Sequence, residues 1–135
     1  MSAYHYQKTC YKDRDALVEA LGEMGYKIVE VHDDAQNLVG YQGDTRAQKA
    51  NIIVRRQYIS GAANDLGFVK QDDGTYSAIV SAYDSSRHNA AWMVKLKVAY
   101  TEKCDMKTAR KNGLHFLGRE VVNGKVRLKF MDSRR

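Results

Sequence analysis

No proline occurs among the 135 residues of this chain. That excludes a Pro-rich linker or tail and removes one source of slow folding. No apolar run approaches the roughly 18 residues that a membrane-spanning helix needs, so no membrane partner is expected. The opening stretch, MSAYHYQKTC, is polar and lacks the apolar centre of a signal peptide. Cysteine is scarce: Cys10 and Cys104 show no CxxC or Cys/His spacing. Two free, mostly buried thiols are expected ahead of a bridge between them. The protein is accordingly read as cytoplasmic, or from an equivalent reducing compartment.

What is present fits one domain, residues 1–135. A chain of this length buries about two-thirds of its unfolded surface, enough to dispense with a metal or disulfide staple. Apolar residues make up 44% and charged residues 28%. The formal net charge of +6 is unevenly placed. Residues 1–94 hold ten Lys/Arg against twelve Asp/Glu, a balance of −2; residues 95–135 hold twelve against four, a balance of +8. A basic segment attracts phosphates, nucleic acid or an acidic protein, or simply keeps a surface solvated.

A strand is expected over His5–Tyr11. Asp13 stands where an N-cap would, and Leu17, Ala20, Leu21 and Met24 follow at i, i+3, i+4, i+7, one apolar stripe of a helix that Gly25 ends. Tyr26–Val31 reads as a strand, Asp33, Asp34 and Asn37 as a turn, Leu38–Gln42 as a short strand. Asn51–Arg56, Leu66–Lys70 and Tyr76–Ser81 continue a meander. The last two flank Asp73-Gly74, a pair that favours the positive φ angles of a hairpin turn. From Ser86, a plausible N-cap, to Asn112 no glycine occurs, so length favours a helix, bent or broken near Asp105, that Gly113 stops. Leu114–Val122 and Val126–Phe130 form a hairpin across Asn123-Gly124. "DALVEALGEMGYKIVEV" and "MKTARKNGLHFLGREVV" thus repeat one phrase: helix, glycine, strand. The expected fold is α+β, a single antiparallel sheet of about five to seven strands with two main helices packed on one face.

The residues also carry a family resemblance over nearly the whole chain. "KDRDALVEALGEMGY", "LVGYQG" with Gly40 and Tyr41, "NDLGF" with Asp65, Gly67 and Phe68, "DGTYSAIVSAYD", the spacing of Trp92, Leu96, Tyr100 and Gly113, and "VVNGKVRLKF" come in a characteristic order. Together they resemble the chloroplast hypothetical reading frame thirty-five proteins and their bacterial and phage relatives, the domain of unknown function twelve fifty-seven. The resemblance implies a fold, supports the helical reading of the Trp92–Gly113 stretch, and leaves the role of the five motif residues open. It departs at the start, where Ser2-Ala3-Tyr4 stands for Ser-His-aromatic and His5 is displaced. Some bacterial members of that family are encoded beside AAA-type ATPases, so the resemblance hints at an adaptor role.

No catalytic constellation, cofactor motif or metal-ligand spacing stands out. "GYQG" lacks the Lys-Ser/Thr of a phosphate loop, so Gly40 and Gly43 read as turn or bulge residues. His5, His32, His88 and His115 are scattered; His32 before Asp33 and Asp34 reads as a turn ahead of an oriented base. Neither cysteine is brought to a histidine. Asp65 is the best single carboxylate for a site, against the simpler reading that it turns the chain before Leu66. In "KVRLKF", Val126, Leu128 and Phe130 should face a core, leaving Lys125, Arg127 and Lys129 on the other face. Arg55 and Arg56 end a second strand, and Lys107, Arg110 and Lys111 share a helical face. Should these patches meet, they form a groove for phosphate or an acidic surface. Tyr41, Tyr58 and Tyr76 then serve either as stacking platforms or as sheet packing. The leading expectation is a non-catalytic binding or adaptor protein that meets an acidic protein surface, with an AAA-type ATPase as one partner. The alternative is a binder of nucleic acid or of a phosphorylated small molecule such as a nucleotide. An enzyme ranks third.

Overall fold

The structure, a computed structural model, describes residues 3–132, and of residues 115, 116 and 132 the backbone alone. Ser2 and the facing of the His115 side chain, both noted in the sequence, therefore lie outside the described residues. The chain runs β1 (Tyr4–Lys8), α1 (Arg14–Glu23), β2 (Glu30–Val39), β3 (Thr45–Val54), β4 (Leu66–Lys70), β5 (Tyr76–Ser81), α2 (Ala90–Lys111), β6 (Leu114–Val122) and β7 (Lys125–Asp132), with short 3-10 turns at Arg56–Tyr58 and Ala82–Asp84.

The expectation of one sheet is corrected. The protein is α+β, but β1 to β5 form a five-stranded antiparallel sheet in the order β1-β5-β4-β3-β2, while β6 and β7 pair only with each other. Length explains the separation. The 22 residues of α2 span roughly 33 Å, whereas β4 and β5 span roughly 17–20 Å. The helix overshoots the sheet, so Gly113 (φ +72°) turns the chain back along α2 itself, and β6 packs there.

β1 and β2 lie at opposite edges of the main sheet, so the chain between them must cross about four strand spacings, roughly 19 Å. Helix α1, with ten residues and a length of about 15 Å, lies on that path and packs on the sheet face. Residues 26–29 do not join the sheet, and β2 begins only at Glu30. The expected strand start at Tyr26 is thereby corrected.

The start and stop of α1 follow the sequence. The Asp13 carboxylate accepts from the Ala16 N–H at 3.1 Å. At the far end Tyr26 N–H reaches the Leu21 carbonyl and Gly25 N–H the Gly22 carbonyl, both at 3.1 Å, with Gly25 at φ +105°: the paired bonds of a Schellman stop. Helix α2 is capped by Asn89, whose side chain accepts from Trp92 N–H at 2.9 Å, and not by Ser86; it runs unbroken past Asp105. The turn at Gln71–Gly74 has positive φ at Gly74 alone, closed by Gly74 N–H to the Gln71 carbonyl. At Asn123-Gly124 both residues are positive (51° and 75°), the two-residue hairpin turn that Asn-Gly favours.

Leu17, Ala20 and Leu21 of α1 and Met93, Leu96 and Tyr100 of α2 pack on Ile52, Val54, Leu66, Phe68 and Ala78, so both helices cover one face. The opposite face carries a smaller cluster of Tyr4, Leu38, Ala50, Ile53 and Ile79. Gly67 makes that cluster fit: a Cβ there would lie 2.7 Å from the Ala50 Cβ and 3.0 Å from Leu38. Cys10 is exposed and Cys104 half-buried, both unpaired, so burial of Cys10 is corrected. Among the described residues, no helix is long and apolar enough to cross a membrane.

Candidate functional site

Two places gather the residues that the sequence singled out, and they differ in what they can do. The first is internal. The carbonyl of Val39 accepts from Asp65 N–H at 3.0 Å, while the Asp65 carboxylate accepts from Val39 N–H at 2.8 Å and from Arg56 N–H at 2.7 Å. The same carboxylate accepts from the Arg55 guanidinium at 2.8 Å. Arg55 turns its remaining donors to Glu30, at 2.8 and 3.0 Å, and to the Asn37 carbonyl. Burial of a lone carboxylate is prohibitive, and three donors compensate it here. Glu30 is held below the usual carboxylate range, chiefly by its hydrogen bonds to Arg55.

Asn64, the preceding residue, continues the network. Its side-chain Oδ1 accepts from Tyr41 N–H at 2.9 Å, its side-chain Nδ2 donates to Ser81 Oγ at 3.0 Å, and its backbone N–H donates to Asp84 at 2.9 Å. Asp84 also accepts from Arg87 at 2.8 Å. The "LVGYQG" and "NDLGF" segments are therefore one device, a turn buttoned to a strand end. Gly40 belongs to it because a Cβ there would lie 2.5 Å from the Asp44 carboxylate. Phe68 is wholly buried in the main core. Asp65 does what its simpler reading expects, fixing the chain before Leu66.

His88 lies beside this network and was not distinguished from the other histidines in the sequence. It is buried, its Nε2 lies 2.7 Å from the Tyr26 hydroxyl, and its ring sits 4.6 Å from that of Trp92. Burial drives its pKa down to about 4. His32 pairs with Glu30 at 2.8 Å, within β2 and not in a turn.

Five of the eight cationic residues singled out in the sequence have partners of their own. Arg55 is taken up as described, and Arg56 donates to the Ala63 and Gly61 carbonyls. Lys107 crosses to Asp13 at 2.8 Å, lowering the Asp13 pKa through that bond. Arg110 and Lys111 are exposed at the end of α2. Lys125, Arg127 and Lys129 are exposed on the hairpin, where Glu120 lies 3.1 Å from Lys129 and 3.9 Å from Arg127. Tyr76 is buried in the core, whereas Tyr41 and Tyr58 are exposed; Tyr41 stacks on Tyr83 at 6.0 Å between ring centres. Among the described residues, no three His, Cys, Asp or Glu side chains are grouped to hold a metal.

The second place is the hairpin surface. Register pairs Val121 with Val126 and Arg119 with Leu128, and Glu120 with Arg127 and Val122 with Lys125. Paired residues share a face, so one side carries Val121, Val126, Leu128 and Arg119 and the other carries the cations. Arg119 tethers the apolar side to α2 through Glu102 at 2.8 Å. Glu102 is almost wholly buried, and its second oxygen has no hydrogen-bond partner. Beyond that tether the tip is uncovered: Val121 is 68% and Val126 47% exposed, with Leu117 at 59% in the bulge before Gly118. Val94 and Val98 of α2 are also exposed, and they line one groove with Glu102 and Arg119. This surface can bury apolar area against another molecule while its lysines and arginine meet negative charge.

Comparison with curated proteins and with solved structures finds no match. A family model described as a protein of unknown function, DUF1257, matches residues 20–128, well over half the chain and both interlocking segments together with α2 and most of the hairpin, and the chain therefore belongs to the DUF1257 family.

Proposed function

We propose that this protein is a non-catalytic binding or adaptor protein that engages an acidic protein surface through its β6–β7 hairpin. The observation that carries the reading is the uncovered apolar tip at Val121 and Val126, set back to back with Lys125, Arg127 and Lys129. A two-stranded hairpin is marginal alone and gains stability when a face is packed. The interior polar network supports the same reading from the other side, because its carboxylates and guanidinium groups are spent on one another. An ATPase of the AAA type is the partner that the family resemblance suggests.

The test is affinity capture from the protein's own cells with Val121→Ser/Val126→Ser, alongside Tyr58→Ser as a remote exposed control. Partners held by the hairpin are lost in the first variant and kept in the second. Equal recovery from both would overturn the reading. The alternative, a binder of nucleic acid or nucleotide, is checked in the same preparation: phosphate-directed binding falls steeply between roughly 50 and 200 mM salt and does not depend on Val121 or Val126.

A further inference from the structure

The chain itself carries a surface that complements its hairpin. Between the outer side of α1 and the start of β2 lies an open groove lined by Arg14, Asp15, Val18, Glu19, Val31 and Asp33. Three carboxylates stand there against one arginine, which lies 3.5 Å from Asp15 and 3.9 Å from Asp33. Val31 is 41% exposed, and the Asp33 side chain is 99% exposed. Apolar residues and acids line the groove together; the hairpin tip is a wedge with Val121 and Val126 on one side and Lys125 and Arg127 on the other. The division of charge between residues 1–94 and 95–135 thus has a spatial form, one acidic and one basic docking surface on the same molecule.

We infer that the hairpin tip of one copy seats in the α1–β2 groove of a second copy. The inference rests on the proposed hairpin function and names its partner. The two surfaces are different patches, so the contact is heterologous: a bound copy still offers a free hairpin and a free groove, and growth continues to a ring or a filament. Opposite charges bring the surfaces together and make the contact salt-sensitive, while the valine side of the wedge supplies the apolar area that is buried.

Sedimentation velocity of the full chain over a concentration series tests this. Species larger than a dimer are expected at low salt, about 50 mM, shrinking to monomer at about 500 mM. Lys125→Ser/Arg127→Ser and Glu19→Gln/Asp33→Asn, each checked for native circular dichroism, are expected to be monomeric alone. Mixed in equal amounts, they are expected to form a single one-to-one complex that grows no further, because the first retains an intact groove and the second an intact hairpin. A wild-type chain that is monomeric throughout, or a mixture that stays monomeric, overturns the inference. So does a dimer that survives both pairs of substitutions. If the wild-type is monomeric while Val121→Ser/Val126→Ser still loses its captured partners, self-docking falls and the adaptor reading stands; if neither responds, both fall.

Discussion

Arg55 and Asp65 are ten residues apart in the chain and 2.8 Å apart in space, and this contact joins the end of β3 to the start of β4. The Asp65 side chain is fully shielded, whereas Glu30, the other acid on Arg55, is 34% exposed. The two carboxylates are therefore unequal. Asp65→Ala leaves two backbone N–H groups without an acceptor and removes one of the Arg55 ion pairs, and is expected to cost about 3–5 kcal/mol. Glu30→Gln leaves water to take over and is expected to cost no more than about 1 kcal/mol. Urea unfolding midpoints of the two variants check the ranking, and equal losses would contradict it.

Two glycines make a second contrast. Gly67→Ala drives a Cβ into Ala50 and is expected to destabilise by about 1–3 kcal/mol. Gly61 has open space around the same position and no positive φ, so Gly61→Ala is expected to be neutral or to stabilise by up to about 1 kcal/mol. Thermal melts of both variants read this directly.

His88 sets a pH dependence. Its folded pKa of about 4 lies below the ordinary 6.5, because burial disfavours the imidazolium. Between those values the unfolded chain binds more protons than the folded one. The histidine's contribution is thus fully present above pH 6.5 and is lost as the pH falls towards 4, by about 3 kcal/mol in all. Asp84 opposes this shift and Arg87 reinforces it. His88→Gln is expected to flatten that part of the stability profile. A variant with the wild-type slope between pH 6.5 and 4 would show that other groups govern it.

Arg119 and Glu102 hold the hairpin against α2. Arg119→Ala leaves a buried carboxylate unpaired, and hydrogen exchange of β6 and β7 amides is expected to accelerate by about tenfold or more, a loss of at least ~1.4 kcal/mol in local stability. Glu102→Gln removes the charge together with its penalty, so its effect on exchange is expected to be smaller. The reverse order would mean that the tether is electrostatic rather than a matter of satisfying Glu102.

The elements most legible in the sequence are those set by neighbours along the chain. Asp13, the Leu17–Leu21 stripe and Gly25 fix α1 through local bonds; β4 and β5 fall at Leu66–Lys70 and Tyr76–Ser81 as read. Where side chains from afar intervene, local reading fails. Asp33 and Asp34 resemble a turn, but the Asn51 amide bonds the carbonyls of His32 and Asp33 and keeps that irregular stretch within β2. Arg55 and Arg56 look like free cations until Glu30 and the 61–65 loop are folded onto them. Asp65 stands out within "NDLGF", yet its partners, the Arg55 guanidinium and the N–H groups of Val39 and Arg56, come from elsewhere in the chain. The hairpin's alternation was readable, yet its separation from the main sheet depends on where a 22-residue helix ends, which no pattern within 114–132 records.

The pairing of β1 with β5 has a consequence for birth order. Tyr4 lies opposite Ser81, 77 residues later (81 − 4). At roughly 5–20 residues per second, a ribosome would extrude the first strand some 4–15 s ahead of the edge it joins. The β2–β5 meander can assemble as it emerges, and the oldest segment of the nascent polypeptide is among the last to find its seat.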